Sequence, residues 1–270
     1  MKDYLKELVA EQPNALLAYS VAREYLQARI LGVLQEHGAF QNWVFLGGAA
    51  LRFLYRIPRY SEELDFSLLD LSRPHGFSRL VEDIRSTFEA EGYRLTLKSA
   101  HDKTVASCFV RFGGLPFELG LSPHRDQVLA VKLEIDTNPP AGGGVATTLV
   151  RRYITLNLLH HDRPSLLAGK LNAVLCRPYV KGRDLFDLVW YLADRSWPEP
   201  NIGLLNAGLA QMGWKGPTLD AGNWRTVIRE RIQSVRWQDA AADVRPFLER
   251  DADLGLLTRE NCLSLLTVES

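Results

Sequence analysis

The sequence predicts an α+β fold, with a mixed core of strands and helices over residues 1–160 and a helical C-terminal domain over residues 161–270. Three observations carry this prediction. Every run of strand character falls before about residue 160 and alternates with helical stretches. The first 36 residues, and everything after about residue 160, carry apolar side chains at three- and four-residue steps instead. The composition, 46% hydrophobic and 24% charged, is that of an ordinary globular protein and excludes intrinsic disorder.

In chain order, residues 2–36 read as helices, with Leu5, Leu8 and Val9, then Val21, Tyr25, Ala28 and Leu31, at helical spacing. Asn14, after Pro13, is placed to cap the second helix. WVFL at 43–46 is a short buried strand stopped by a tight turn at Gly47-Gly48, and residues 49–55 have helical composition and end before Pro58. ELDFSLL at 63–69 reads as a strand with acids at alternate positions. Residues 77–91 are helical through Leu80, Ile84 and Phe88, with Gly92 as the stop. Strands follow at 93–97, 105–112, 129–136 and 149–156, and NPPAGGG at 138–144 is a loop. Residues 165–175 and 183–193 are helical and are joined by CRPYVKG; residues 202–212, 223–235, 239–249 and 258–266 continue as helices. No repeat is evident.

The chain carries 32 basic and 32 acidic residues, which excludes a uniformly basic coat for gripping nucleic acid and leaves room for a local patch. Cys108, Cys176 and Cys262 are far apart with no CxxC pair, against a disulfide framework or structural zinc and in keeping with a reducing compartment. No uncharged run reaches the ~18 apolar residues of a membrane span, and MKDYLKELVAEQ lacks a signal-peptide core. The expectation is a cytoplasmic protein with no membrane partner.

The sharpest constellation is Gly47-Gly48, fourteen residues, then Glu63-Leu64-Asp65. Residues two apart on a strand share a face, so Glu63 and Asp65 present their carboxylates together. Such a pair is costly unless a cation lies between them, and Mg2+ takes oxygen ligands while keeping waters and phosphates in its shell. Backbone N–H groups at a Gly-Gly turn ahead of a helix approach phosphate oxygens closely. The same residues also suit a plain turn beside a solvated acidic strand. Glu134 and Asp136 in VKLEID form a second pair on one strand face; beside residues 63–69, one of them becomes a third metal-facing carboxylate. Alone, they would be acids on an edge strand.

The third feature is Lys170, followed by Arg177, Lys181, Arg183, Asp184 and Asp187. Lys170 and Arg177, nearly two turns apart, share a helix face, and Arg183 and Asp187 are spaced to pair with each other. Residues 147–183 hold seven Lys/Arg and one Asp, whereas residues 61–71 hold four acids and no base. A cationic lobe opposite an acidic strand is what a triphosphate or an RNA end requires, although a charge run also suits a solvated face. Other chemistry is missing. Without HExxH, His160-His161 reads as a pair at a helix start rather than as zinc ligands; AGGGVATT lacks the P-loop lysine; Ser122 and Ser165 have no nucleophile elbow.

FLGGAALRFLYRIPRYSEELDFSL at 45–68 resembles the opening motif of the AbiEii/AbiGii family of nucleotidyltransferase toxins, with Arg59, Ser61, Glu63 and Asp65 on the family's Arg, Ser and paired-acid positions. LLAGKLNAVLCRPYVKGRDLFDLVWYL at 166–192 resembles its second signature, a Lys helix followed by an Arg-Asp-x-x-Asp helix. With VKLEID between them, the resemblance spans roughly residues 40–195. It implies a polymerase-β-like nucleotidyltransferase core and the toxin half of a bacterial type IV toxin–antitoxin pair. It also implies a nucleoside triphosphate substrate, Mg2+ as cofactor and a cognate antitoxin, and some members transfer nucleotides to a tRNA 3′ end. Carried over residue by residue, Gly47, Gly48 and Ser61 would hold phosphates. Glu63 and Asp65 would hold Mg2+. Lys170 would neutralise phosphate, with Arg59 and Arg183 adding charge on the nucleotide side, and Asp184 or Asp187 would complete the site. Two departures stand out: Glu63 where the family has Asp, and Gly169 where an acid often precedes the Lys.

The resulting expectation is a Mg2+-dependent nucleotidyltransferase acting on a tRNA or other RNA acceptor. The rival is a non-catalytic nucleotide- or RNA-binding module in which Glu63 disables metal chemistry; a plain protein–protein scaffold would bind no nucleotide at all.

Overall fold

The computed structural model describes residues 2–100 and 104–267. Its elements are α1 (Lys2–Ala10), α2 (Ala15–Glu36), β1 (Trp43–Leu46), α3 (Gly47–Tyr55), β2 (Glu63–Leu68), α4 (Phe77–Ala90), β3 (Leu95–Ala100), β4 (Val105–Gly113), α5 (Leu115–Glu118) and β5 (Val128–Asp136). They continue with β6 (Val145–Arg152), β7 (Ile154–His161), α6 (Arg163–Cys176), α7 (Gly182–Ala193), α8 (Ile202–Gln211), α9 (Trp224–Gln233), α10 (Trp237–Val244) and α11 (Arg259–Leu265). The described strands form one sheet in the order β3-β4-β5-β2-β1-β7-β6. The chain divides into a unit of Met1–Tyr55, Tyr60–Asn138 and Thr147–His160, and a unit of Arg56–Arg59, Pro139–Ala146 and His161–Ser270. Among the described residues no helix is long and apolar enough to cross a membrane.

In the first unit, alternation along the strands sets the layers. Leu129, Val131, Leu133 and Ile135 of β5 are buried, while Lys132, Glu134 and Asp136 between them line the more open face. Leu64 and Phe66 of β2 do the same opposite Glu63 and Asp65. Trp43 packs its ring 5.2 Å from Phe66 and 5.8 Å from Phe77 of α4, and its indole N–H donates to the His75 carbonyl at 2.7 Å. α2, capped by Asn14 as its sequence predicts, is buried nearly all round. It carries the buried Glu24, which pairs with Arg52 at 3.1 Å and with Arg152; the Arg52 guanidinium lies over the Tyr60 ring at 4.4 Å. A buried carboxylate held by two guanidiniums fixes α3 and β6 to α2.

Two sequence expectations are corrected here. Residues 149–156 are not one strand: the chain breaks at Tyr153, which takes a left-handed φ of 59° and separates β6 from β7. His160-His161 does not begin a helix. It ends β7, where Phe45 of β1 pairs in parallel with His160, and the His160 ring bonds Thr148 Oγ1 at 2.8 Å. The helix starts at Arg163 with Asp162 as its cap, its carboxylate accepting from the Ser165 N–H.

In the second unit, helices α6–α11 are joined by two excursions of the chain. Arg59 forms a β-bridge with Leu248, and the Glu249 N–H donates to the Pro58 carbonyl at 3.1 Å. The Asn201 side chain donates to the Gly142 carbonyl at 2.8 Å, and the Gly144 N–H donates to Ser165 Oγ at 2.9 Å. α7 starts at Gly182, where any Cβ would strike the Ala240 backbone of α10. Beyond α10 the chain passes into a 3-10 turn at Arg245–Phe247, so residues 239–249 are not one continuous helix; Pro246 lacks the N–H that an α-helix would use there.

Candidate active site

The site begins where β1 ends. Antiparallel pairing sets Leu46 opposite Asp65, so the next residue, Gly47, starts α3 directly beside the Asp65 carboxylate. Gly47 has φ of 78°, and a Cβ there would collide with Asp65 Oδ2. Only glycine lets the first turn of α3 and this carboxylate approach so closely. Gly48 is buried in the same turn. Ser61 precedes β2, its carbonyl accepting from Gln27 Nε2 at 3.0 Å and its hydroxyl 3.4 Å from the Glu63 carbonyl.

β5 pairs in parallel with β2, in a register that sets Lys132 opposite Glu63 and Glu134 opposite Asp65. Glu63, Asp65 and Glu134 each offer a carboxylate oxygen, all within 4.8 Å of one another, and all three are half-buried. Register thus brings Glu134, of the two acids of VKLEID, beside Asp65. Asp136 lies one pair further along, opposite Ser67, and accepts the Asn138 N–H at 2.9 Å; burial raises its pKa, partly offset by that bond. Sequence reasoning missed Lys132. Its ammonium bridges Glu134 Oε1 at 2.8 Å and Glu63 Oε1 at 3.2 Å. Burial pulls its pKa down, but the hydrogen bond from Lys132 to Glu134 and the charge of Glu63 outweigh this and hold it above its ordinary value. The signal was in the sequence: Lys132 is two residues before Glu134 and shares its strand face.

In the second unit, Lys170, Asp184 and Asp187 come together with Arg59. Lys170 Nζ lies 2.6 Å from Asp187 and 3.3 Å from Asp184, Arg177 reaches Asp184 at 2.6 Å, and Arg59 grips Asp187 through Nε and Nη2 at 2.5 Å each. Desolvation works against both charged forms, but the ion pairs prevail: Arg59 and Lys170 hold the Asp187 pKa below the usual carboxylate range, and Asp187 with Asp184 holds that of Lys170 above its ordinary value. Arg183 stacks its guanidinium 4.3 Å from the Phe247 ring and lies 3.8 Å from Asp243, so the expected Arg183–Asp187 pair gives way to Arg59–Asp187.

Residues 29–256 match the model of the nucleotidyl transferase AbiEii toxin, type IV toxin–antitoxin system. The chain belongs to the AbiEii toxin family. It is a nucleotidyltransferase toxin, and Gly47, Glu63 and Asp65 of its opening motif lie together, with Glu134 of β5 completing the carboxylate cluster. The AbiEii fold is shared with MenT4, a nucleotidyltransferase toxin of Mycobacterium tuberculosis H37Rv, at 15% identity and a TM-score of 0.56, over 98% of this chain and 89% of that one. It is shared too with JHP933 of Helicobacter pylori, at 19% identity and a TM-score of 0.53, over 92% and 90%. No curated protein sequence matches significantly.

Proposed function

We propose that this AbiEii toxin transfers a nucleotide from a nucleoside triphosphate to an RNA acceptor such as a tRNA 3′ end, in the cytoplasm and under the control of a cognate antitoxin. The observation that carries the reading is the Glu63–Asp65–Glu134 cluster beside the glycine turn. Its donors are all carboxylate oxygens, the set that suits Mg2+. Bound there, Mg2+ would stabilise charge on the attacking and leaving oxygens. The chain supplies the rest. The N–H groups of Gly47 and Gly48 open α3 toward phosphate oxygens, and Ser61 adds a hydroxyl. An acceptor hydroxyl attacks the α-phosphorus; the new O–P bond replaces the bond to pyrophosphate, which leaves, while the hydroxyl proton passes to solvent. Lys170, Asp184, Asp187, Arg59 and Arg183 stay in the proposal through their match to the family signatures, and Lys170→Ala, checked for folding, tests that part by its effect on triphosphate binding.

The decisive experiment incubates each of the four labelled triphosphates with total RNA, with and without Mg2+. Incorporation that needs both Mg2+ and Asp65 supports the proposal. Nucleotide binding without incorporation would favour the non-catalytic module, and no binding at all would favour a scaffold.

A further inference from the structure

Lys132 holds an unusual place for a lysine at a metal-binding face. Its ammonium does not border the acidic cluster but bridges two of its three carboxylates, at 2.8 Å and 3.2 Å. The bridge is fixed from three sides. Lys132 is the direct cross-strand partner of Glu63, it precedes Glu134 by two residues on the same face, and its ammonium lies 5.7 Å from the Phe109 ring centre on β4. An ammonium and a divalent cation compete for the same oxygens, and like charges at such distances repel strongly.

We propose that Lys132 is a specificity-determining residue that sets the order of loading: it screens the cluster against bare divalent cations and yields to metal that arrives with a triphosphate. The inference rests on the metal-dependent reading of the site. The chemistry gives the order. A bare cation entering the cluster must displace the ammonium from Glu63 and Glu134 with nothing to receive it. A triphosphate brings oxygens of its own, and the displaced ammonium, on four flexible carbons, exchanges carboxylates for phosphates. Lys132 thereby couples metal retention to the presence of substrate.

The test measures Mn2+ binding to the whole protein by electron paramagnetic resonance, and labelled-triphosphate binding in the presence of Mn2+. Lys132→Met should bind bare Mn2+ about tenfold or more tightly than the parent, because one competing charge is gone, and should bind the triphosphate more weakly. Lys132→Arg, which keeps the charge, should stay near the parent in both. That crossing of two affinities is not produced by a lysine that merely ties β5 to β2. Circular dichroism checks the fold, and Lys132→Gln is read in the same way if the Met variant is misfolded. Equal or weaker bare Mn2+ binding in a folded variant overturns the role of Lys132 while leaving the metal site standing. Mn2+ binding indifferent to Asp65→Asn in both parent and variant overturns the metal reading, and this inference with it.

Discussion

Glu63 is one methylene longer than the aspartate the family places first, yet its carboxylate falls within the same 4.8 Å cluster as Asp65 and Glu134. Glu63→Gln keeps the shape and removes the charge, so it should abolish transfer with an unchanged melting temperature, a loss on the order of a hundredfold or more in turnover. Glu63→Asp should retain or raise activity. Transfer by the Gln variant at the parent's rate would show that Glu63 is no ligand. The two acids of β5 should separate just as sharply. Glu134→Gln should lose turnover like Glu63→Gln, whereas Asp136→Asn, whose parent carboxylate serves the turn at Asn138, should keep it within a few-fold by the same assay. At Gly47, alanine would need a left-handed backbone and would push into Asp65; about 1–2 kcal/mol of lost stability and a loss of Mn2+ binding should appear together.

At the scale of elements, α7 stands or falls with Asp187. Asp187→Asn leaves Arg59 and Lys170 buried around a neutral amide, and urea titration should show a loss of about 3–5 kcal/mol. The pH dependence follows from the directions of the shifts. The lowered Asp187 pKa contributes stability above the ordinary Asp value of ~3.9, lost as pH falls below it, and the raised Lys170 pKa contributes stability lost only above ~10.4. Melting temperature should therefore drop more steeply below pH 4 in the parent than in Asp187→Asn. β2 was legible from the sequence because alternation of Glu63 and Asp65 is a local property of a strand. The position of Glu134, rather than Asp136, opposite Asp65 was not, since it depends on a parallel register between segments separated by two helices and two further strands. Lys132 escaped notice because a lysine near acids reads as ordinary surface until its strand partner is known. The Arg59 match to the family motif was visible in the sequence, but its bond to Asp187, 128 residues away, is a fact of tertiary structure.

At the scale of the whole molecule, a boundary at residue 160 follows the change from strands to helices, but two short stretches before it, Arg56–Arg59 and Pro139–Ala146, belong with the helical unit. A fragment of residues 161–270 would lack Arg59, the Leu248 bridge and the Gly142 and Gly144 contacts with Asn201 and Ser165. Expressed alone, it should have less helix by circular dichroism than the same residues have in the intact chain, and a lower urea midpoint. A fragment as stable as the intact protein would make those stretches dispensable.

The pairing of β2 with β5 also has a consequence for how the toxin is made. Glu63 and its partner Lys132 are 69 residues apart, and parallel strands cannot zip together as a hairpin does. A chain still on the ribosome that has exposed β2 but not β5 owns two of the three carboxylates and nothing to hold them in register. The β2–β5 face is thus assembled only after much of the first unit has been translated, and a product that ends before β5 lacks both Lys132 and Glu134.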